Sequence, residues 1–218
     1  MTAFRPGLAS FATRAFGAVG MLGGLGLLLA YVVEIPPALN TVRLFLFCAG
    51  AMAIGVALYG RHAEVSRRLA LAGTFPLIAA NGWYIAWILL AVGRERPFAG
   101  DFGMLGFWAG LAFWLADAGF GLVALRLGVV WRWVALVLAV GSLMAITGMD
   151  RLELTSQVNP TIFTPIALTG VALNGFAWVL LGLEIVVPSL RGGGHTVAPD
   201  HASVPVAAAG IAEPQPEV

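Results

Sequence analysis

Charge is what this sequence has least of. Only 11% of its 218 residues are Asp, Glu, Lys or Arg, and all 12 positive side chains are arginine, with no lysine anywhere. A soluble domain of this size carries roughly 25% charged residues. The shortage excludes a water-facing surface over most of the chain. Cysteine is nearly absent too. Cys48 stands alone, so neither an intramolecular disulfide nor a thiolate metal cluster can form, and a buried structural thiol is the reading. Histidine is limited to His62, His195 and His201. The last two are six apart with no ligand neighbours, which is too few for a metal site, and His62 falls in an apparent turn, where it could not ligate haem. Walker, Rossmann and rhomboid-type Ser/His patterns are missing; the net charge of +1 is uninformative about partners, and no nucleic-acid partner is expected. No cofactor and no metal are expected.

What the sequence does have is apolar length. Hydrophobic residues make up 60% of it, and the mean hydropathy is +0.91. A membrane-spanning helix needs about 20 apolar residues. Six such runs can be drawn, at about 13–33, 41–60, 69–92, 104–125, 133–149 and 162–187, the fifth being the shortest. The fold class is therefore all-α, a six-helix transmembrane bundle over residues 1–187. The first run is too long for a signal peptide and reads as a retained span. Phe4, Leu8 and Phe11 precede it at near-helical spacing and suggest a short interfacial helix. Pro36 and Pro37 stop the first hairpin, with Asn40 and Thr41 placed to cap the second span. The segment RHAEVSRR, from Arg61 to Arg68, reads as a basic turn.

An even number of spans puts both termini on one side. Arg5, Arg14, Arg61, Arg67, Arg68, Arg126, Arg132 and Arg191 fall there, against Arg43, Arg94, Arg96 and Arg151 opposite. Arginine excess marks the cytoplasmic side, so both termini are expected inside a cytoplasmic (inner) membrane. Residues 188–218 are rich in Gly, Pro and Ala and lack aromatics, as expected of a disordered cytoplasmic tail. Membrane lipids are the expected partners, together with a second copy of the chain or another membrane protein.

The third run reads AANGWYIAWILLAVG and the sixth ALNGFAWVLLGLE. Both carry Asn-Gly-aromatic and then Ala-Trp, with a two-residue gap. An inverted 3+3 repeat is one reading; chance similarity between two low-complexity helices is the other.

Asp117 is the sharpest candidate for chemistry. A carboxyl group deep in a span costs roughly 2.5–3.5 kcal/mol on insertion scales and should face protein or water. Gly106, Gly110, Phe113, Trp114 and Gly121 share its helical face, and Gly106 with Gly110 makes a small-residue step for close packing. Gly20 and Gly24 make a second such step. Asn81 and Asn174 lie at similar depth, about 16 and 18 Å from the outer boundary against about 20 Å for Asp117. They are its natural partners. Such a trio serves either as interhelical glue or as a proton, ion or substrate site. Trp83 with Trp87 shares a face of the third run, Trp108 and Trp114 lie on the fourth, and Glu184 reads as a boundary residue.

Three functions compete. The first is a membrane protein that binds or moves a small molecule, lipid or ion at Asp117, Asn81 and Asn174. The second is a structural or accessory subunit whose trio only sets helix packing. The third is a lipid-modifying enzyme on an outer loop, which needs Asp101, Asp150 and Glu153 to converge; interleaved Arg94, Arg96 and Arg151 speak for solvated loop charges instead.

Overall fold

A computed structural model describes residues 6–29, 37–92, 100–148 and 160–187. Among them the chain is all helical, with no strand: α1 (Pro6–Leu29), α2 (Pro37–Ala91), α3 (Gly100–Leu127), α4 (Arg132–Ile146) and α5 (Pro160–Val186). Four of these, all but α4, are long and apolar enough to cross a membrane. The tail at 188–218 and the loop acids Asp150 and Glu153 lie outside the described residues, as does the side chain of Asp101.

The boundaries differ from expectation in three places. The interfacial stretch is not a separate helix among the described residues: Leu8 and Phe11 lie in α1, which is continuous from Pro6, and Phe4 lies outside them. Helix α2 starts at Pro37, ahead of Asn40 and Thr41, because proline is well suited to a first helical turn, where its missing N–H is not needed. The basic turn shrinks to one residue. Helix continues through Arg61 and His62 and breaks only at Ser66 (φ −156°, ψ 105°). Ser66 Oγ then accepts the Leu69 N–H at 3.4 Å, which is an N-cap for the following helix.

This break folds α2 back on itself. Gly55 packs against Leu77 and Thr74, and positions 55 and 77 are equidistant from Ser66. Towards the far end Leu44 joins the cluster of Trp87, Ile88 and Ala109. The two arms, 37–65 and 67–91, therefore run side by side as an antiparallel hairpin.

Six rods result, and sequence neighbours are spatial neighbours throughout. Gly20 and Gly23 of α1 meet the first arm at Ile54 and Leu46–Phe47; Gly73 of the second arm meets Val123 of α3. Gly121 of α3 meets Ala135 and Ala139 of α4, and Gly141 of α4 meets Gly170 and Asn174 of α5. Helix α5 then returns to α1 through Gly182 on Gly17 and Gly175 on Gly24, closing a ring. Gly20 and Gly24 thus serve two different seams rather than one.

Ring order bears on the repeat. A twofold axis in the membrane plane would reverse the cyclic order of the second three rods relative to the first. Among the described residues the order runs on around the ring in the same sense, which gives the inverted repeat no support.

Small residues fill the seams and large ones turn outward. Phe75 is 70% exposed, and Leu22 and Leu90 are exposed to a similar degree. Such a surface would be an aggregation hazard in water and is natural against lipid. Inside, Phe47, Phe113 and Tyr84 pack ring against ring at 5.3–5.7 Å, and Phe120 stacks on Trp178 at 5.8 Å. Helix α3 stops at Gly128, whose φ of 65° suits glycine; its N–H returns to the Ala124 carbonyl at 3.0 Å.

Candidate functional site: a buried carboxylate between two aromatic layers

Asp117 lies near the middle of α3, about 21 Å along the axis from Gly103 and about 15 Å from Leu127. Phe113, one turn before it, and Phe120, one turn after, share its inward face. They place an aromatic layer on each side of the carboxylate. The side chain is fully buried.

Three N–H donors converge on it. Trp178 Nε1 donates to Oδ2 at 3.0 Å, Asn174 Nδ2 to the same oxygen at 3.3 Å, and Asn81 Nδ2 to Oδ1 at 3.5 Å. Asn174 Nδ2 also donates to Ser142 Oγ at 2.7 Å, and that hydroxyl donates to the Leu138 carbonyl at 2.7 Å. Asn81 Nδ2 also donates to its own helix at the Leu77 carbonyl, 2.9 Å away. The layer therefore ties together the second arm, α3, α4 and α5. Asn81, Asn174 and Ser142 are as fully buried as the aspartate.

All donors to the carboxylate are neutral, and an acceptor-only set of oxygens facing N–H groups matches its ionised form. Two acceptors at the layer are left over: the amide oxygens of Asn81 and Asn174 have no hydrogen-bond partner. Cys48, from the first arm, is also buried and within electrostatic range of Asp117.

The structure thus brings together the three residues picked from the sequence, Asp117, Asn81 and Asn174. Two participants were missed. Trp178 stands one turn after Asn174, so helical spacing alone puts both on one face. Ser142 is a mid-helix hydroxyl with no charge to draw attention to it. Of the packing glycines, Gly121 sits in a close backbone seam with α4, as expected of a small residue. Gly106 does not; it makes room for the indole of Trp87. Gly110 is buried. Trp83 and Trp87 part company, the first 44% exposed and the second buried.

Two further readings are corrected. His62 does not sit in a solvated turn. It is fully buried, its ring 5.6 Å from that of Phe120. Glu184 is not a boundary residue that reaches out. It is buried, and its Oε2 accepts the Trp131 N–H at 3.4 Å, at the start of α4. A carboxylate from a neighbouring rod thereby takes the place of a local N-cap.

On the outer surface, an open groove of about 380 Å³ follows the seam between the second arm and α3, lined by Pro76, Ala80, Trp83, Ala112 and Ala116. Asp117 is not among its lining residues. No cluster of three or more metal-ligating side chains occurs among the described residues. Comparison with known protein families, with curated proteins and with solved structures finds no match.

Proposed function

We propose that this chain is a six-span protein of the cytoplasmic membrane, with both termini inside, whose Asp117 layer reversibly takes up positive charge, a proton or a small cation, at mid-membrane depth. Two observations support the six spans, and a third the orientation. The apolar stretch Thr41–Ala91 would be about 77 Å long if straight, over twice the roughly 30 Å hydrocarbon core, and it doubles back at Ser66. Helix α4 is short, about 22 Å, but lies between two long apolar rods. Finally, the seam registers gather Arg14, Arg61, Arg67, Arg68, Arg126 and Arg132 at one end of the ring; Arg43 lies at the other among the described residues. By the arginine rule the crowded end is cytoplasmic.

The observation that carries the functional reading is a fully buried carboxylate met only by neutral donors, with two unpartnered amide oxygens on its own partners. Intramembrane acids of this kind mark ion and proton sites by default. Asp117→Asn keeps the shape of the site and removes its charge. In proteoliposomes loaded with a pH-sensitive dye, the unsubstituted chain is expected to pass protons or respond to sodium, and Asp117→Asn to do neither. Equal behaviour of the two would overturn the reading.

A second reading has its own support. The glycine seams and both aromatic layers close tightly around the carboxylate. In that reading the protein is a structural or accessory subunit, and the layer sets rod order. It expects Asp117→Leu to lower stability and no flux from either chain.

A further inference from the structure

The two oxygens of Asp117 are not equivalent, and the difference points to what binds. Oδ2 is held by two donors, Trp178 at 3.0 Å and Asn174 at 3.3 Å. Oδ1 has one, Asn81, at the long limit of 3.5 Å. A calcium ion seeks about six to eight oxygen ligands, and magnesium nearly ideal octahedral oxygen. Here N–H groups, not oxygens, point at the carboxylate, and they oppose a metal cation at the same place. A proton needs one free lone pair and one acceptor for the new O–H.

Both are present at Oδ1. Protonation there gives up only the longest of the three hydrogen bonds; at Oδ2 it would disturb the two shorter ones. The acceptor is close by. The amide oxygen of Asn81 is buried and has no partner, and it belongs to the side chain that already approaches Oδ1. Asn174 cannot exchange its ends as readily, because its Nδ2 is pinned at once by Ser142 and by Oδ2.

We propose that the charge taken up at this layer is a proton, bound on Asp117 Oδ1, and that Asn81 is the positioning residue that turns to accept it. This rests on the charge-binding reading above. The step is balanced: an O–H bond forms from a proton of the medium, no covalent bond breaks, and the carboxylate becomes a neutral acid. Asn81 exchanges an N–H donated to Oδ1 for a carbonyl that receives the new O–H. To do so it lets go of the Leu77 carbonyl, so proton uptake loosens the side chain from its own helix one turn beyond Pro76. That part of the second arm borders the open outer groove, where small residues leave room for movement.

Titratable groups around Asp117 are few. The first arm contributes Cys48 and, behind Phe120, His62. The second arm offers Asn81, Thr74 and the Tyr84 phenol, which stacks on Phe113, and α4 offers Ser142. Helix α5 carries Glu184, which is engaged at Trp131. Of these, the Asp117 carboxyl faces Asn81 across a hydrogen bond.

Infrared difference spectroscopy of the full chain in lipid nanodiscs, across a pH titration, tests this directly. A protonated-carboxyl band is expected on acidification, with a matching change in side-chain amide absorption. It should vanish in Asp117→Asn, move towards the unbonded position in Asn81→Leu, and stay in place in Asn174→Leu. Labelling the unsubstituted chain with carboxyl-¹³C aspartate keeps the assignment available if Asp117→Asn does not fold. A band that moves in Asn174→Leu and ignores Asn81→Leu puts the proton on Oδ2 and overturns the role of Asn81. A response to sodium with no carboxyl band overturns the proton and keeps the charge-binding reading. Absence of both removes the two together.

Discussion

The two halves of the ring are packed by opposite means. Along α1, α5 and α4 the seams are backbone against backbone. A Cβ built on Gly182 would lie 2.5 Å from the Gly17 carbonyl oxygen, one on Gly24 would lie 2.6 Å from that of Gly175, and one on Gly170 would lie 2.6 Å from that of Gly141. Within the hairpin and between it and α3 the seams are made by side chains: Trp87 on Gly106, Tyr84 and Phe47 on Phe113, Val123 on Gly73. Between apolar helices in lipid there is no hydrophobic force to draw them together, so fit decides association. Backbones have one way to fit, whereas rings and branched chains have several rotamers. The glycine half is the rigid one, and the hairpin half is where the molecule can rearrange. Asp117 lies at the junction, with two donors from the rigid half and the longest from the other.

That contrast can be broken most forcefully at Gly182. Gly182→Leu meets the Gly17 carbonyl oxygen and the Met21 backbone as well as the Met21 side chain, and should cost about 3 kcal/mol or more, enough to prevent a monodisperse folded protein in detergent. Gly106→Leu, opposed by the Trp87 indole rather than by backbone, should cost less; equal melting of the two variants would mean that the halves do not differ. A smaller effect is expected at the junction. Trp178→Phe keeps the stack on Phe120 but removes the shortest bond to a buried carboxylate, at about 1.5–3 kcal/mol in thermal unfolding. A variant that melts with the parent would remove Trp178 from the layer. The smallest effect should come from Gly119, which has open space where a Cβ would go. Gly119→Ala should be neutral or stabilising by up to about 1 kcal/mol through helix propensity, and marked destabilisation would show a contact the seams do not account for.

How much of this was legible in the sequence follows from what lipid does to the usual cues. The helices themselves were, because apolar length is the signal and the lipid medium selects for it. Their faces mostly were not. A helix that is apolar all round presents no polar stripe to read, so the seams at Gly17, Gly24, Gly175 and Gly182 look like four glycines among 28. Asp117 was the exception, since a carboxylate cannot face hydrocarbon and its direction announces the interior. Asn81 and Asn174 followed from depth. Charge density misled at RHAEVSRR, where four charged neighbours made His62 look solvated although helical phase turns it inward. Glu184 was misjudged for a different reason: its carboxylate accepts from the backbone at Trp131, which no sequence cue reveals.

The ring also has a history built into it. Every glycine-lined seam but one joins rods that follow each other along the chain, so each can form as soon as the next helix is made. Closure between α1 and α5 is the exception, and it waits for the last helix. That helix brings Asn174 and Trp178, two of the three groups that hold Asp117. Until it arrives, α1 has an unfilled glycine face and Asp117 has one long bond. The nascent protein is thus an open chain of rods around a poorly held charge, and the same late step both shuts the ring and secures the carboxylate. A chain ended before Pro160 would leave both undone.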